Sequence, residues 1–167
     1  MSRKHDIVIG IDPDLEKNGV AMLVEGELMS LQNLPFMKLM EYCQHEEWLS
    51  ANSGSSLVFV VEDVEYNKPV FNRRLSPKQN LKVAQNVGMV KGVARMIVQF
   101  LEASDMRYIK VPPLKGHLKK AKNDRQYFNQ LTGWQKSSNQ DNRDAALLAK
   151  YGLPAHVYVP RPSEVPH

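Results

Sequence analysis

Four carboxylates in this chain stand where a charge needs an explanation. Asp12 ends the apolar run Ile7-Val8-Ile9-Gly10-Ile11, and Glu62 ends the run Leu57-Val58-Phe59-Val60-Val61. Asp141 and Asp144 stand three apart at the start of an expected late helix. A carboxylate at the end of a buried strand is costly unless something neutralises it. Oxygen donors with no cysteine and no obligatory histidine suit Mg²⁺, and a pair of Mg²⁺ ions is a common device for hydrolysing a phosphodiester. Each acid alone has an ordinary explanation. Asp12 before Pro13 could form a turn, Glu62 could be a strand-end acid, and Asp141 and Asp144 would favour a helix macrodipole. The set says more than its members. The i, i+3 spacing puts Asp141 and Asp144 on one helix face. If the two apolar strands are neighbours and the late helix packs beside them, the acids converge at one end of a sheet.

The charge distribution suggests what such a centre would act on. The 167 residues carry a net charge of +4, but the first 66 hold four Lys/Arg against twelve Asp/Glu. Residues 67–136 hold fifteen Lys/Arg against Glu102, Asp105 and Asp124, a surplus of twelve. That exceeds what solubility requires and points to a polyanion partner, most simply nucleic acid. A hydrophobic content of 43% over this length suits one domain with a proper core. A single cysteine, Cys43, excludes an internal disulfide and is expected in the core of a protein from a reducing compartment. With no signal-peptide pattern and no run long enough to span a bilayer, the expectation is a cytoplasmic protein without a membrane partner.

The elements that must position the acids follow from punctuation and period. Residues 6–12 read as a first strand, Pro13-Asp14 and Lys17-Asn18-Gly19 as the ends of a turn, 20–24 as a second strand, Glu25-Gly26 as a tight turn, and 27–34 as a third strand. Pro35 opens a helix to about residue 50, with Met37, Met40, Cys43 and Leu49 expected inward. Residues 57–63 read as a central strand covered on both faces. Ser76 and Pro77 suit N-cap and N1 of a long helix to about residue 103. Gly88 and Gly92 share one face of it, where close approach of another backbone is expected. Residues 106–111 form a fifth strand, ended by Pro112-Pro113. Two short helices follow near 114–121 and 124–131, the second with Asn123 as N-cap and Gly133 at its end. The last helix is capped within 137–139 and runs to 151, and 153–167 reads as a loose Pro-rich tail to a single domain of residues 1–152. This is an α/β chain with a leading antiparallel meander and a mixed sheet covered by helices on both faces.

Several of these features occur together in a known family. Gly10-Ile11-Asp12-Pro13 with Gly19 seven residues after the acid, Glu62 after an apolar strand, Gln85-Asn86-Val87-Gly88 within a long helix, and Asp141-x-x-Asp144-Ala145 opening the last helix resemble the RuvC-type Holliday-junction resolvases over about residues 6–152. The resemblance implies a ribonuclease H-like fold with a mixed five-stranded sheet. It implies that Asp12, Glu62, Asp141 and Asp144 are metal ligands. Lys115 and Lys122 best match basic residues that meet the scissile phosphate. The chain departs from the family in having Asp14 where glycine usually follows Asp-Pro, and Asp63 and Glu65 enrich the end of the fourth strand.

The segment from Glu65 to Arg74 interleaves aromatics with cations, as a junction-contacting loop would. Tyr66 or Phe71 could stack on an unpaired base or pack on its own domain, while Lys68, Arg73 and Arg74 could meet phosphates. Lys78, Lys82, Lys91 and Arg95 on the long helix, and Lys119, Lys120 and Arg125 beyond the fifth strand, extend the candidate DNA surface. His117 could assist proton transfer or be an ordinary surface histidine. The reading is a crossover junction endodeoxyribonuclease using two Mg²⁺ ions, for which Mn²⁺ would substitute. It would resolve a four-way DNA junction as a homodimer by paired symmetric nicks that leave 5′-phosphates. The alternatives are a flap or general branched-DNA nuclease with the same chemistry, and a non-catalytic branched-DNA-binding module. An actin-like ATPase shares the Gly-Ile-Asp strand but needs a second lobe that this length cannot supply.

Overall fold

Alternation along the strands decides which side chains meet. In the computed structural model, which describes residues 5–66 and 72–167, the strands are β1 (Ile7–Asp12), β2 (Asn18–Val24), β3 (Glu27–Leu34), β4 (Leu57–Glu62) and β5 (Tyr108–Val111). They form one sheet in the order β3-β2-β1-β4-β5. The meander β1-β2-β3 is antiparallel, and β4 and β5 join in parallel. Five helices connect and cover it: α1 (Phe36–Ser53), α2 (Pro77–Ala103), α3 (Gly116–Asn123), α4 (Arg125–Thr132) and α5 (Gln140–Tyr151). This is the expected ribonuclease H-like architecture. No helix among the described residues is long and apolar enough to cross a membrane.

Successive strand residues point to opposite faces. Ile9 and Ile11 of β1 and Leu57, Phe59 and Val61 of β4 face a core completed by α1 and the C-terminal part of α2. Val8 of β1 and Val58 and Val60 of β4 face Leu148 and Ala149 of α5. The central strands are therefore buried on both faces, which is why their sequences are almost continuously apolar.

Several elements differ from the sequence expectation. In α1 the buried stripe is Leu39, Met40, Cys43 and Ser50, whereas Met37 and Leu49 are exposed because they lie off that stripe. The Ser76 cap of α2 is a full capping box with Gln79. Gly88 and Gly92 open onto free space, with no backbone against them among the described residues. The close approaches occur at two strand glycines instead. A β-carbon on Gly10 would lie 1.9 Å from the Ala145 carbonyl oxygen, and one on Gly19 would lie 2.2 Å from that of Asp141. Asp124, not Asn123, caps α4, accepting from Tyr127 N–H at 3.1 Å. The C-terminal segment is docked rather than loose. Val159 is buried and donates its N–H to His5 Nε2 at 3.0 Å, while Arg161 bonds Glu47 at 2.6 Å and the Asp105 carbonyl at 2.8 Å.

Candidate metal centre and nucleic-acid interface

Register and alternation bring two of the acids together. In the parallel β1–β4 pair, Ile7 faces Leu57 and each later residue keeps that offset through Ile11 and Val61. Asp12 and Glu62 are the next residues, both at the C-terminal ends of their strands. Both share the parity of the Val8, Val58 and Val60 positions, so they project toward α5. The missing side chains at Gly10 and Gly19 let α5 lie directly on β1 and β2. Its N-terminus is fixed by a reciprocal capping box between Asn139 and Asn142 and by bonds from both amides to Asn33 Oδ1 at 2.8 and 2.9 Å. Asp144, one turn in, then points at the strand ends.

Asp12, Glu62 and Asp144 each offer a carboxylate oxygen such that all three lie within 4.8 Å of one another. Asp12 and Asp144 are buried and Glu62 is half-buried. Burial pushes the Asp12 carboxyl far above the usual carboxylate range, and Asp144 and Glu62 raise it further. Asp144 is raised by burial first and by Glu62 second, with Lys122 pulling the other way. Like charges crowded at a dry site favour protonation until a cation arrives. Lys122 Nζ lies 3.2 Å from Asp144 Oδ2 as an ion pair. Burial works against its ammonium, but the attraction of Asp144, Asp12 and Glu62 outweighs that and raises its pKa. Asp144 Oδ2 accepts no hydrogen bond of ordinary geometry among the described residues. An all-carboxylate donor set with a buried, under-satisfied oxygen fits a hard divalent cation.

Asp141 lies outside this group of three. Burial raises its pKa first, the charge of Asp14 raises it further, and Lys122 pulls the other way. Asp14 Oδ1 accepts from Leu15 N–H at 2.7 Å, and Asp63 Oδ1 from Glu65 N–H at 3.1 Å, so both serve turns. Glu65 bonds Arg95 at 2.6 Å. Of Glu62, Asp63 and Glu65 at the end of β4, Glu62 alone belongs to the group of three.

A cleft lined by Glu62, Pro113, Leu114, Lys119, Lys122, Asn123, Gln140 and Asp144 opens over the acids. Lys115 stands at the N-cap of α3 with its Nζ 5.6 Å from the Tyr66 ring centroid, which ties the loop after β4 to the start of α3. Lys120 lies over Tyr127 at 5.9 Å, and Arg125 lines an open groove with Trp134. Arg73, Arg74, Lys78 and Lys82 are exposed near or on the projecting end of α2, and Lys91 is half-buried further along it. His117 is exposed and outside the cleft lining. Lys68 and Phe71 lie outside the described residues.

Arg143, which the sequence did not single out, is buried and donates from Nε to the Lys122 carbonyl at 2.8 Å and from Nη1 to Ser138 Oγ at 3.0 Å. Its place between the two acids in the polar first turn of α5 gave little warning. Gly10 and Gly19, glycines inside strands, carried a readable signal of close packing.

No protein-family profile and no curated protein matches the chain. Among solved structures, Thermus thermophilus RuvC in complex with a Holliday junction substrate is similar with a TM-score of 0.54 and 16% identity, over 86% of this chain and 90% of that one. A second Thermus thermophilus RuvC structure gives a TM-score of 0.47 and 15% identity, over 86% and 91%. The chain has the fold of the RuvC-type resolvases.

Proposed function

We propose that this protein is a Mg²⁺-dependent, structure-selective DNA endonuclease that resolves four-way junctions by paired symmetric nicks. The observation that carries the reading is the meeting of Asp12, Glu62 and Asp144 at the C-terminal ends of adjacent strands, with Lys122 against them, on a RuvC-type fold. The three acids would hold the cations, with Asp141 as an outer fourth acid. When bound, such ions supply an activated water and stabilise the leaving 3′ oxygen, leaving a 5′-phosphate. Lys122 and Lys115 would meet the scissile phosphate and offset charge developing on it. The basic surface of α2, α3 and α4 would hold the DNA arms, and Tyr66 would stack at the branch point.

A junction has two equivalent strands to cut, so a two-fold dimer suits it. The first half of α2 offers the face. Its 27 residues span about 40 Å at helical rise. The buried residues of α2 are Ala94, Ile97 and Leu101, while Leu81, Val83, Val87 and Met89 are exposed. Of these, Leu81 shares at helical spacing the face of Gly88 and Gly92, and that face suits close packing against a second copy.

The reading is tested by offering purified protein a synthetic four-way junction, a flap, a fork and a single strand, each with Mg²⁺ or EDTA. Mg²⁺-dependent cutting of the junction in preference to the others is expected. Equal cutting of all branched forms would favour a general branched-DNA nuclease. Binding without cutting would favour a non-catalytic module.

A further inference from the structure

The contact between Lys122 and Asp144 has a consequence for how the centre fills, and the inference rests on the metal-dependent reading above. Lys122 sits at the end of α3, the helix that precedes the acid-bearing region, and its ammonium reaches into the cleft to Asp144 Oδ2 at 3.2 Å. Asp144 is one of the three residues whose carboxylate oxygens converge for a cation. The backbone from which this lysine side chain springs is fixed beside the acid, while the ammonium itself keeps a flexible stem. The Lys122 carbonyl accepts from Arg143 Nε at 2.8 Å, and Arg143 is buried on α5, the residue directly before Asp144. A second Arg143 bond, to Ser138 Oγ at 3.0 Å, fixes the guanidinium from the other side. The end of α3 and the start of α5 are thus tied backbone to side chain, and the ammonium is aimed at the acid neighbouring its own anchor.

We propose that Lys122, aimed by Arg143, is a resident counter-cation that competes with the divalent ion for Asp144 and so sets the concentration at which the centre loads. Two cations crowded on one buried carboxylate repel strongly. Entry of the metal therefore requires the ammonium to retreat, which the flexible four-carbon stem permits. Retreat of the ammonium leaves the Arg143 anchor in place, so the lysine remains beside the cleft. Arg143 is a positioning residue here, acting through the backbone of Lys122.

The test is Mg²⁺ titration by calorimetry on the full-length protein without DNA, with every variant at the same pH and in the same buffer so that proton competition is matched. Lys122→Gln should bind Mg²⁺ about tenfold more tightly than wild type, because a dication gains about twice what a proton gains when a neighbouring positive charge is removed. Lys119→Gln, a charge-matched change at a lysine lining the same cleft, should shift affinity far less. Arg143→Gln should shift affinity in the same direction as Lys122→Gln, and the double variant should show no gain beyond Lys122→Gln alone, since both act through one ammonium. A merely structural arginine would give additive effects and weaker binding. Thermal unfolding in EDTA and in Mg²⁺ checks each variant's fold. Should Lys122→Gln not fold, Lys122→Arg keeps the charge and must bind Mg²⁺ no more tightly than wild type. Unchanged affinity in Lys122→Gln, additivity with Arg143→Gln, or tighter binding by Lys122→Arg overturns the proposal. If wild type binds no Mg²⁺ that Asp144→Asn removes, the metal reading itself fails and takes this inference with it.

Discussion

Asp12 and Asp144 are held above the ordinary carboxylate range chiefly by burial and then by the neighbouring acids. A metal binds their ionised forms, so each proton that burial retains must leave on loading. Raising the pH removes those protons beforehand. Mg²⁺ affinity is therefore expected to rise with pH through the neutral range, with net proton release seen as a dependence of the calorimetric heat on the buffer's ionisation enthalpy. A pH-independent affinity with no proton release would contradict the assigned donors. The same geometry ranks the acids. Asp144→Asn should lower cutting by more than the roughly 100-fold that loss of a supporting contact costs, whereas Asp141→Asn should cost about 10- to 100-fold. Single-turnover rates on a junction, with binding measured separately, check both. At this scale the sequence was legible where chemistry coincides with strand ends. Asp12, Glu62 and Asp144 each close an apolar segment or open a helix, and the three meet. The separation of Asp141 was not legible, because i, i+3 spacing fixes a helix face but not how far along the cleft each side chain reaches. Arg143 was missed because its partners, the Lys122 backbone carbonyl and the Ser138 hydroxyl, carry no sequence signature.

The elements are placed by what is missing as much as by what is present. Gly10 and Gly19 let the α5 backbone touch β1 and β2. An added β-carbon would fall on backbone atoms that cannot rotate aside, so α5 must lift and carry Asp144 with it. Gly19→Ala is expected to destabilise the fold by about 3 kcal/mol or more and to lose cutting even at temperatures where it stays folded. Denaturant unfolding and activity at low temperature measure the two effects separately, and a stable, fully active Gly19→Ala would contradict the close-packing account. The strand order followed from three antiparallel strands and two crossovers, all of which the turn residues announced. The backbone expected against Gly88 and Gly92 of α2 is absent among the described residues. A helical glycine signals that something small is wanted on that face, but the neighbour need not belong to the same chain. Met37 and Leu49 failed for a related reason, since apolar character alone does not place a residue on the buried stripe.

For the molecule as a whole, the two ends of the sheet do different work. The acids lie at the C-terminal ends of the parallel strands, while the chain's own C-terminal segment is fastened at the opposite end. His5 is buried, with Nδ1 2.6 Å from Ser56 Oγ and Nε2 accepting from Val159 N–H, and its ring stacks on Tyr158. Burial and then Arg107 lower its pKa, partly opposed by Asp6. A histidine with a lowered folded pKa contributes stability that is full above its unfolded value, about 6.5, and is lost as the pH falls toward the folded one. The segment 153–167 should therefore become more susceptible to proteolysis below about pH 6.5, and His5→Asn should abolish that pH step. An unchanged cleavage rate between pH 7.5 and 5.5 would contradict it. The tail's composition suggested a loose end because proline and polar residues dominate it, and only the partners at His5, Glu47 and Asp105 show otherwise. Dimerisation also belongs to this scale. In the proposed dimer a charge on the glycine face of α2, as in Leu81→Glu, should convert dimer to monomer in sedimentation and lower paired cutting more than single nicking.

The account joins a metal-dependent acid centre to a two-fold assembly, and one experiment addresses both at once. A supercoiled plasmid that extrudes a cruciform contains a four-way junction, and two symmetric cuts across it give a linear product, whereas one cut gives a nicked circle. Incubation with this protein is expected to yield linear plasmid with Mg²⁺, none with EDTA, and none with Asp144→Asn. Nicked circles alone would contradict the paired action of two sites, and linear product in EDTA or from Asp144→Asn would contradict the acid centre itself.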